Sequence, residues 1–345
     1  EGRRMSKGGL RTILVGFGQI AAGLGRDAKM AEYFPYATHA QVLRDHPAFD
    51  WLGVVDPDEA AQRRAREEWK VPHVGGDLSA VAGHVKPEVA VIAAPPGTAR
   101  ADTVQQLPDL KAVLVEKPLG VGGQDGGAFV EFCRKRDVKV MVNYWRRGDE
   151  LYRSLAAGGL NDRIGRPQAV FGTYGNGLFN NGGHLVDFVQ MLLGEVASVQ
   201  GLDHPIQAEN TSLAEDWQAT FALTLVNGTV VTVRPLDFHF YREVGLDIWG
   251  EHGRLAFYQE GLGVFHYPLA DNRGLENAME IASDKPTVLT PTVGSALYNL
   301  YDNLADVIAG KAEPFSPGEK ALFTEQVLNA VLASAAENGT RLHFQ

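Results

Sequence analysis

Thr12-Ile13-Leu14-Val15-Gly16-Phe17-Gly18-Gln19-Ile20-Ala21 is the stretch that decides the fold. Four β-favouring or apolar residues run into two glycines spaced two apart, with a small residue three further on. In this pattern a buried parallel strand breaks into a helix while the turn between them presses on a dinucleotide pyrophosphate. The first glycine makes the tight turn, the second lets the backbone reach the phosphates, and Ala21 lets helix and strand pack closely. Gly16, Phe17, Gly18, Gln19 and Ile20 are therefore candidate cofactor contacts. Ordinary strand-to-loop turns share the pattern, so the flanking sequence has to decide between the two readings.

Trp51-Leu52-Gly53-Val54-Val55-Asp56 is a second apolar run ending in an acid, where a ribose-binding carboxylate belongs at the end of the second strand. Asp56 follows Gly18 by 38 residues, well beyond the usual ~20. An insertion is implied, and Gly23 to Tyr36 is the candidate because it carries Gly23, Gly25 and Pro35 and lacks helical periodicity. Helix-like spacing resumes over Ala37 to Asp45. The alternative for Asp56 is a plain turn residue before Pro57. If Asp56 holds a ribose, NAD(H) is expected over NADP(H). The carboxylate would repel a 2′-phosphate, and Pro57 and Asp58 bring no arginine to offset it.

Further along, strand and helix signals alternate to about residue 145. Glu59 to Trp69 and Gly127 to Arg136 read as helices. Val89 to Ala93, Lys111 to Val115 and Val138 to Val142 read as buried strands, and the second of them runs into Glu116-Lys117-Pro118. Repeated βα units give a parallel sheet with ligands beyond the carboxyl ends of its strands. Gly16, Gly18, Asp56, Pro95, Pro96, Glu116, Lys117, Asn143 and Tyr144 all fall at those ends.

Past residue 150 longer alternating runs take over. Pro167 to Tyr174 reads as a strand, Gly183 to Leu193 as a helix, and Trp217 to Leu225 and Thr229 to Arg234 as a hairpin turned at Asn227-Gly228. Val244 to Trp249, Arg254 to Tyr258 and Gly263 to Tyr267 continue the pattern. Ser295 to Ala309 and Gly318 to Glu337 read as closing helices. The expected architecture is α/β: a doubly wound parallel sheet over 8–147, then an α+β domain with an open, largely antiparallel sheet over 148–345.

Composition narrows the function. A chain of 345 residues exceeds what one hydrophobic core normally serves. A net charge of −10, without long basic runs, argues against nucleic acid or an anionic membrane as partner. Cys133 stands alone, so no intramolecular disulfide and no cysteine metal cage is expected. His204, His239 and His266 fall in strand-like segments without ligand spacing, so no metal is expected either. No apolar run approaches a membrane span and no signal-like region opens the chain, which makes a cytoplasmic enzyme the expectation.

Gly16-Phe17-Gly18-Gln19-Ile20-Ala21, Val55-Asp56-Pro57-Asp58, Ala94-Pro95-Pro96, Glu116-Lys117-Pro118 and His184-Leu185-Val186-Asp187 occur in an order and spacing that resemble the glucose–fructose oxidoreductase/inositol dehydrogenase (Gfo/Idh/MocA) family. The resemblance covers nearly the whole chain, and E-K-P and H-x-x-D are its most specific parts. It implies a Rossmann domain joined to an α/β domain with an open mixed sheet. It also implies NAD(P)-dependent redox chemistry on sugars or polyols, and dimers or tetramers that pair through that sheet. Two departures stand out: Asn180 where family members often have Asp, and Ala99 where a His is frequent.

Hydride transfer from a secondary alcohol needs a base beside the hydroxyl and a positive donor for alkoxide character. Lys117 suits the donor, with Glu116 anchoring it or touching the nicotinamide ribose, and the Lys117–Pro118 bond is a candidate for cis. His184 suits the base, because Asp187 is its i+3 neighbour and a helix N-terminus disfavours imidazolium. Asn180, one turn earlier, either contacts substrate or caps the helix. Arg147 and Tyr174 are further candidate substrate contacts. The expected activity is hydride exchange between NAD(H) and a sugar, polyol or sugar derivative, a nucleotide sugar among them. The alternatives are a member that retains NAD and cleaves glycosides through transient redox, and a non-enzymatic NAD-sensing regulator.

Overall fold

A computed structural model describes residues 8–95, 99–120, 124–209, 211, 213 and 215–344. Its described residues divide into two compact units, one within 1–148 and 293–322, the other within 149–292 and 323–345.

The first unit is built on six strands: β1 (Leu10–Val15), β2 (Phe49–Val55), β3 (His73–Gly75), β4 (Val89–Ile92), β5 (Ala112–Val115) and β6 (Lys139–Val142). Their order is β3-β2-β1-β4-β5-β6 and every pairing is parallel. This is the doubly wound arrangement, and its strand order reverses between β1 and β4, where such sheets take their ligands. Period-two alternation sends Ile13, Val15, Ala90, Ile92, Val113 and Val115 into one core and Leu14, Val91 and Leu114 into the other.

One helix of this unit comes from far along the chain. Ala296–Ile308 was expected to close the second domain, yet it covers the first unit's sheet. Leu297, Leu300, Tyr301 and Leu304 form its apolar stripe and join the core of Leu14, Trp51 and Leu114. A parallel sheet must be covered on both faces, and this stripe completes one of them. A contiguous 148–345 domain is therefore corrected: residues 293–322 belong with the first unit.

The Gly23–Tyr36 segment is also more ordered than its aperiodic sequence implies. A π-helical turn over Gln19–Gly23 passes through a short 3-10 turn into the helix Ala28–Tyr33. Asp27 starts that helix by accepting from the Lys29 and Met30 N–H groups, at 2.9 and 3.3 Å. Tyr36 packs on Tyr298 at 4.8 Å and Phe34 meets Trp145 edge-on at 6.3 Å. Next comes His39–Asp45, started by a capping box between Thr38 and Gln41.

The second unit carries a ten-stranded mixed sheet. Pro167–Tyr174 and Val230–Pro235 are parallel at its centre, and the other pairings are antiparallel. Gly228, at φ +85°, turns the Phe221–Leu225/Val230–Pro235 hairpin. The single strand expected over Trp217 to Leu225 is two: Trp217–Gln218 pairs with Ile206–Gln207 in a separate ribbon. The break falls at Ala219, whose N–H and C=O both bond the Tyr174 hydroxyl instead of a neighbouring strand.

Candidate active site

The dinucleotide edge is set by two glycines with different tasks. Gly16 has φ +85°, and a Cβ there would lie 2.7 Å from the Ala94 backbone nitrogen, so only glycine lets the end of β1 approach the end of β4. At Gly18 a Cβ would meet no atom of the described residues within 4 Å. No described neighbour demands glycine at this exposed position, whereas a pyrophosphate approaching the backbone would. Gln19 is exposed beside it and Ile20 half-buried. Phe17 turns inward: its ring is buried against Trp51, so any cofactor contact from Phe17 is confined to its backbone.

Asp56 is fixed at the tip of β2. One carboxylate oxygen accepts the Phe17 N–H at 2.6 Å and the other the Asp58 N–H at 2.8 Å. The acid therefore ties the glycine-rich turn to β2 and keeps lone pairs over for a ribose diol. Arg64, from the next helix, donates to the Phe17 carbonyl at 3.2 Å. Pro95 is exposed at the end of β4, and Pro96 lies outside the described residues.

The Glu116-Lys117-Pro118 turn at the end of β5 is clamped from two sides. The Lys117–Pro118 bond is cis. The buried Arg100 guanidinium donates to the carbonyls of Glu116, Pro118 and Leu119 at 3.0, 2.7 and 2.5 Å. From the other side, Oε1 of Glu116 accepts His39 Nε2 at 2.8 Å and Asn143 Nδ2 at 2.6 Å. The Tyr301 hydroxyl lies 2.8 Å from the second His39 nitrogen. Burial pushes the Glu116 carboxyl up, but the His39 and Asn143 hydrogen bonds and the nearby Lys117 charge outweigh it and hold it below the usual carboxylate range. Asn143 Oδ1 is buried without a partner among the described residues, so a donor on a ligand would satisfy it. Lys117 itself is half-buried beside this network, and so is Arg147 on the turn after β6.

In the second unit, His184 and Asp187 ride on Gly183–Leu193. That helix continues directly from a π-helical turn over Leu178–Gly182. The helical run thus begins a turn before His184, and its first N–H groups are capped by a remote acid. The buried Asp216 carboxylate accepts from Phe179 at 3.0 Å and Asn180 at 2.9 Å. The expected helix-end field at His184 is therefore corrected, since the positive pole lies a turn away and faces a carboxylate. Asn180 is not the cap; it sits inside the π turn and donates to the Asn176 carbonyl at 3.1 Å. His184 is half-buried, and Asp187 is buried at 2% exposure.

Tyr174 is corrected as a substrate contact. Its side chain is fully buried, and its hydroxyl donates to the Ala219 carbonyl while accepting the Ala219 N–H, at 2.8 and 2.9 Å. Burial also pushes its phenol up. Among the described residues no group of His, Cys, Asp and Glu is arranged to hold a metal ion, and no helix is long and apolar enough to cross a membrane.

Residues 11–144 match the oxidoreductase family's NAD-binding Rossmann fold, and residues 172–342 match its C-terminal alpha/beta domain. The chain belongs to the Gfo/Idh/MocA family. It is accordingly an NAD(P)-dependent oxidoreductase. An oxidoreductase from Agrobacterium radiobacter, solved with NAD+, L-tartaric acid and magnesium, is 18% identical with a TM-score of 0.71, over 97% of this chain and 98% of its own. The WlbA dehydrogenase from Bordetella pertussis, solved with NADH and UDP-GlcNAcA, is 19% identical at TM-score 0.71, over 98% and 99%. An oxidoreductase domain protein from Kribbella flavida is 18% identical at TM-score 0.75, over 98% and 100%. At such identities the likeness is one of fold. No protein among the curated ones matches the chain.

Four participants escaped the sequence reading: His39, Arg100, Asp216 and Tyr301. The one available signal was the capping-box spacing of Thr38 and Gln41, which marks a helix start with His39 at its first position. Nothing local marks the other three.

Proposed function

We propose that this chain moves a hydride between NAD(H) and a secondary alcohol or ketone of a sugar, polyol or sugar derivative. The observation that carries the reading is the carboxyl edge of the first unit's sheet. It combines an open glycine backbone at Gly18, an anchored Asp56, and a clamped Glu116-Lys117 pair. A bound nicotinamide supplies the hydride acceptor or donor. The chain's own groups supply the rest. Lys117 stabilises negative charge on the reacting oxygen, and His184 takes its proton in oxidation or returns it in reduction. Asn180 and Arg147 orient the hydroxyl groups of the substrate, and Asp187 orients His184.

NAD(H) is preferred over NADP(H) in this proposal because Asp56 carries the charge that would meet a 2′-phosphate. The bound UDP-GlcNAcA of the Bordetella relative supports including nucleotide sugars in the substrate class. A homodimer or homotetramer through the second sheet belongs to the same reading. Phe171, on the central strand of that sheet, is 52% exposed, and the Arg254–Asp247 pair stacks on Trp249 and Tyr267 nearby. A cytoplasmic setting, where an NAD(H) pool is available, completes the proposal.

A thermal-shift screen of sugars, sugar acids and sugar nucleotides in the presence of NADH tests it. Stabilisation by one chemical class beyond that given by NADH alone is expected. Uniform indifference to the whole panel would count against a carbohydrate substrate.

A further inference from the structure

His39 stands outside every dinucleotide motif, yet it is fully buried at the base of the Glu116-Lys117 turn. Its hydrogen bonds can be accounted for atom by atom. Glu116 Oε1 takes two donors, from His39 Nε2 and Asn143 Nδ2. A carboxylate oxygen can accept both, which requires the proton of His39 to sit on Nε2. The other ring nitrogen lies 2.8 Å from the Tyr301 hydroxyl, a group that both donates and accepts. Tyr301 is fully buried and burial drives its phenol well above the ordinary range, so it remains an O–H donor. An imidazole bare at Nε2 would turn a lone pair on the Glu116 carboxylate, and Glu116 would lose one of its two donors.

The arrangement has a direction. Tyr301 holds the His39 ring from behind, and His39 holds the Glu116 carboxylate. That carboxylate, with 11% of its side chain still exposed, is one residue from Lys117 and interacts electrostatically with it. Among the described residues the charged and titratable groups around it are the buried His39, Tyr301 and Arg100 and the half-buried Lys117, with Asn143 as a neutral donor. A carboxylate held at two points on one oxygen cannot swing away from the carboxyl end of β5, where ligands of this sheet bind.

We propose that His39, donating Nε2–H to the carboxylate, is a positioning residue of the nicotinamide half of the cofactor site, holding Glu116 oriented beside Lys117 with Tyr301 anchoring the far side of the ring. This rests on the cofactor reading given above. His39 touches neither cofactor nor substrate in this role and acts through Glu116.

Two readouts test it. In the protein without cofactor at pH 8, two-bond 15N–1H correlation spectra of histidine-labelled protein, assigned by His39→Gln, should show His39 protonated on Nε2. An Nδ1–H tautomer would overturn the proposal. The second readout is affinity for NADH against ADP, which shares the pyrophosphate and adenosine but lacks the nicotinamide half. Asn at position 39 keeps an acceptor for Tyr301 but is too short to reach Glu116, whereas Gln carries an amide N–H to about the Nε2 position. His39→Asn should weaken NADH at least ~10-fold, the low end for a lost charge-assisted hydrogen bond. ADP should stay within about twofold in the same variant, and His39→Gln should recover NADH affinity to within about threefold of wild type. Parallel weakening of NADH and ADP would show a merely structural role and overturn the proposal. So would equal loss in both variants, or no loss in His39→Asn. A wild-type protein binding neither NADH nor NADPH would sink the cofactor reading itself, an outcome distinct from wild-type binding that His39→Asn leaves intact.

Discussion

Replacing Asp56 by Asn keeps the side chain's shape and removes its charge. In the wild type both oxygens are pinned by backbone N–H groups, from Phe17 at 2.6 Å and Asp58 at 2.8 Å, so the carboxylate is preorganised before any ligand arrives. A hydrogen bond from a ribose hydroxyl to such a fixed charge contributes roughly 1.5–3 kcal/mol, about 10- to 150-fold in affinity. Against a 2′-phosphate the sign reverses. Two like charges ~4 Å apart near a protein surface repel by about 4 kcal/mol per unit charge at an effective dielectric of ~20. Arg64 already reaches the same turn, donating to the Phe17 carbonyl, and its charge favours a phosphate once the carboxylate's opposing charge is gone. Asp56→Asn should therefore weaken NADH at least ~10-fold and strengthen NADPH, and the double variant Asp56→Asn/Arg64→Ala should lose the gain for NADPH. Fluorescence titration of both cofactors against each variant gives the four constants needed. Wild type binding NADPH as tightly as NADH, or an unchanged preference in Asp56→Asn, would refute the reasoning.

Other substitutions separate the remaining roles. Lys117→Ala should cost ~10²–10³ in turnover of a responding sugar while NADH affinity stays within a few-fold, as for loss of a donor aimed at developing charge; a turnover near wild type would give Lys117 another task. His184→Ala should abolish most activity, whereas Asn180→Ala should mainly raise KM, since a neutral amide positions substrate without accepting its proton. Steady-state kinetics of the two variants decide between those roles. Tyr174→Phe removes the partner of both the Ala219 N–H and its C=O. It should destabilise the fold by about 1–3 kcal/mol in urea unfolding with cofactor affinity unchanged. A raised KM without loss of stability would restore Tyr174 to the substrate site.

Much of the fold was legible because its signals are local. The β1 glycine turn, the acid ending β2, the E-K-P turn ending β5 and the apolar stripe of Gly183–Leu193 each declare themselves within a dozen residues. The support of the site was not local. His39 bonds a residue 77 positions away and Tyr301 one 262 positions away, and no periodicity encodes such pairings. The stripe that carries Tyr301 was readable as a helix, but which core it would fill was not, because any apolar stripe suits any uncovered sheet. Arg100 looks like one more surface arginine until its guanidinium is seen among three carbonyls. Tyr174, a candidate substrate contact in the sequence, instead uses its hydroxyl to satisfy a break between strands, a task that no local pattern announces.

The central claim is net hydride transfer between NAD(H) and a carbohydrate-derived alcohol or ketone. It is tested most directly by following nicotinamide absorbance with the purified protein, NAD+ and a panel of sugars, sugar acids, polyols and sugar nucleotides, and with NADH and the corresponding ketones. At least one class should give stoichiometric cofactor turnover that Lys117→Ala and His184→Ala suppress. Cofactor that stays bound and unchanged in net terms while a glycosidic bond is cleaved would contradict the account.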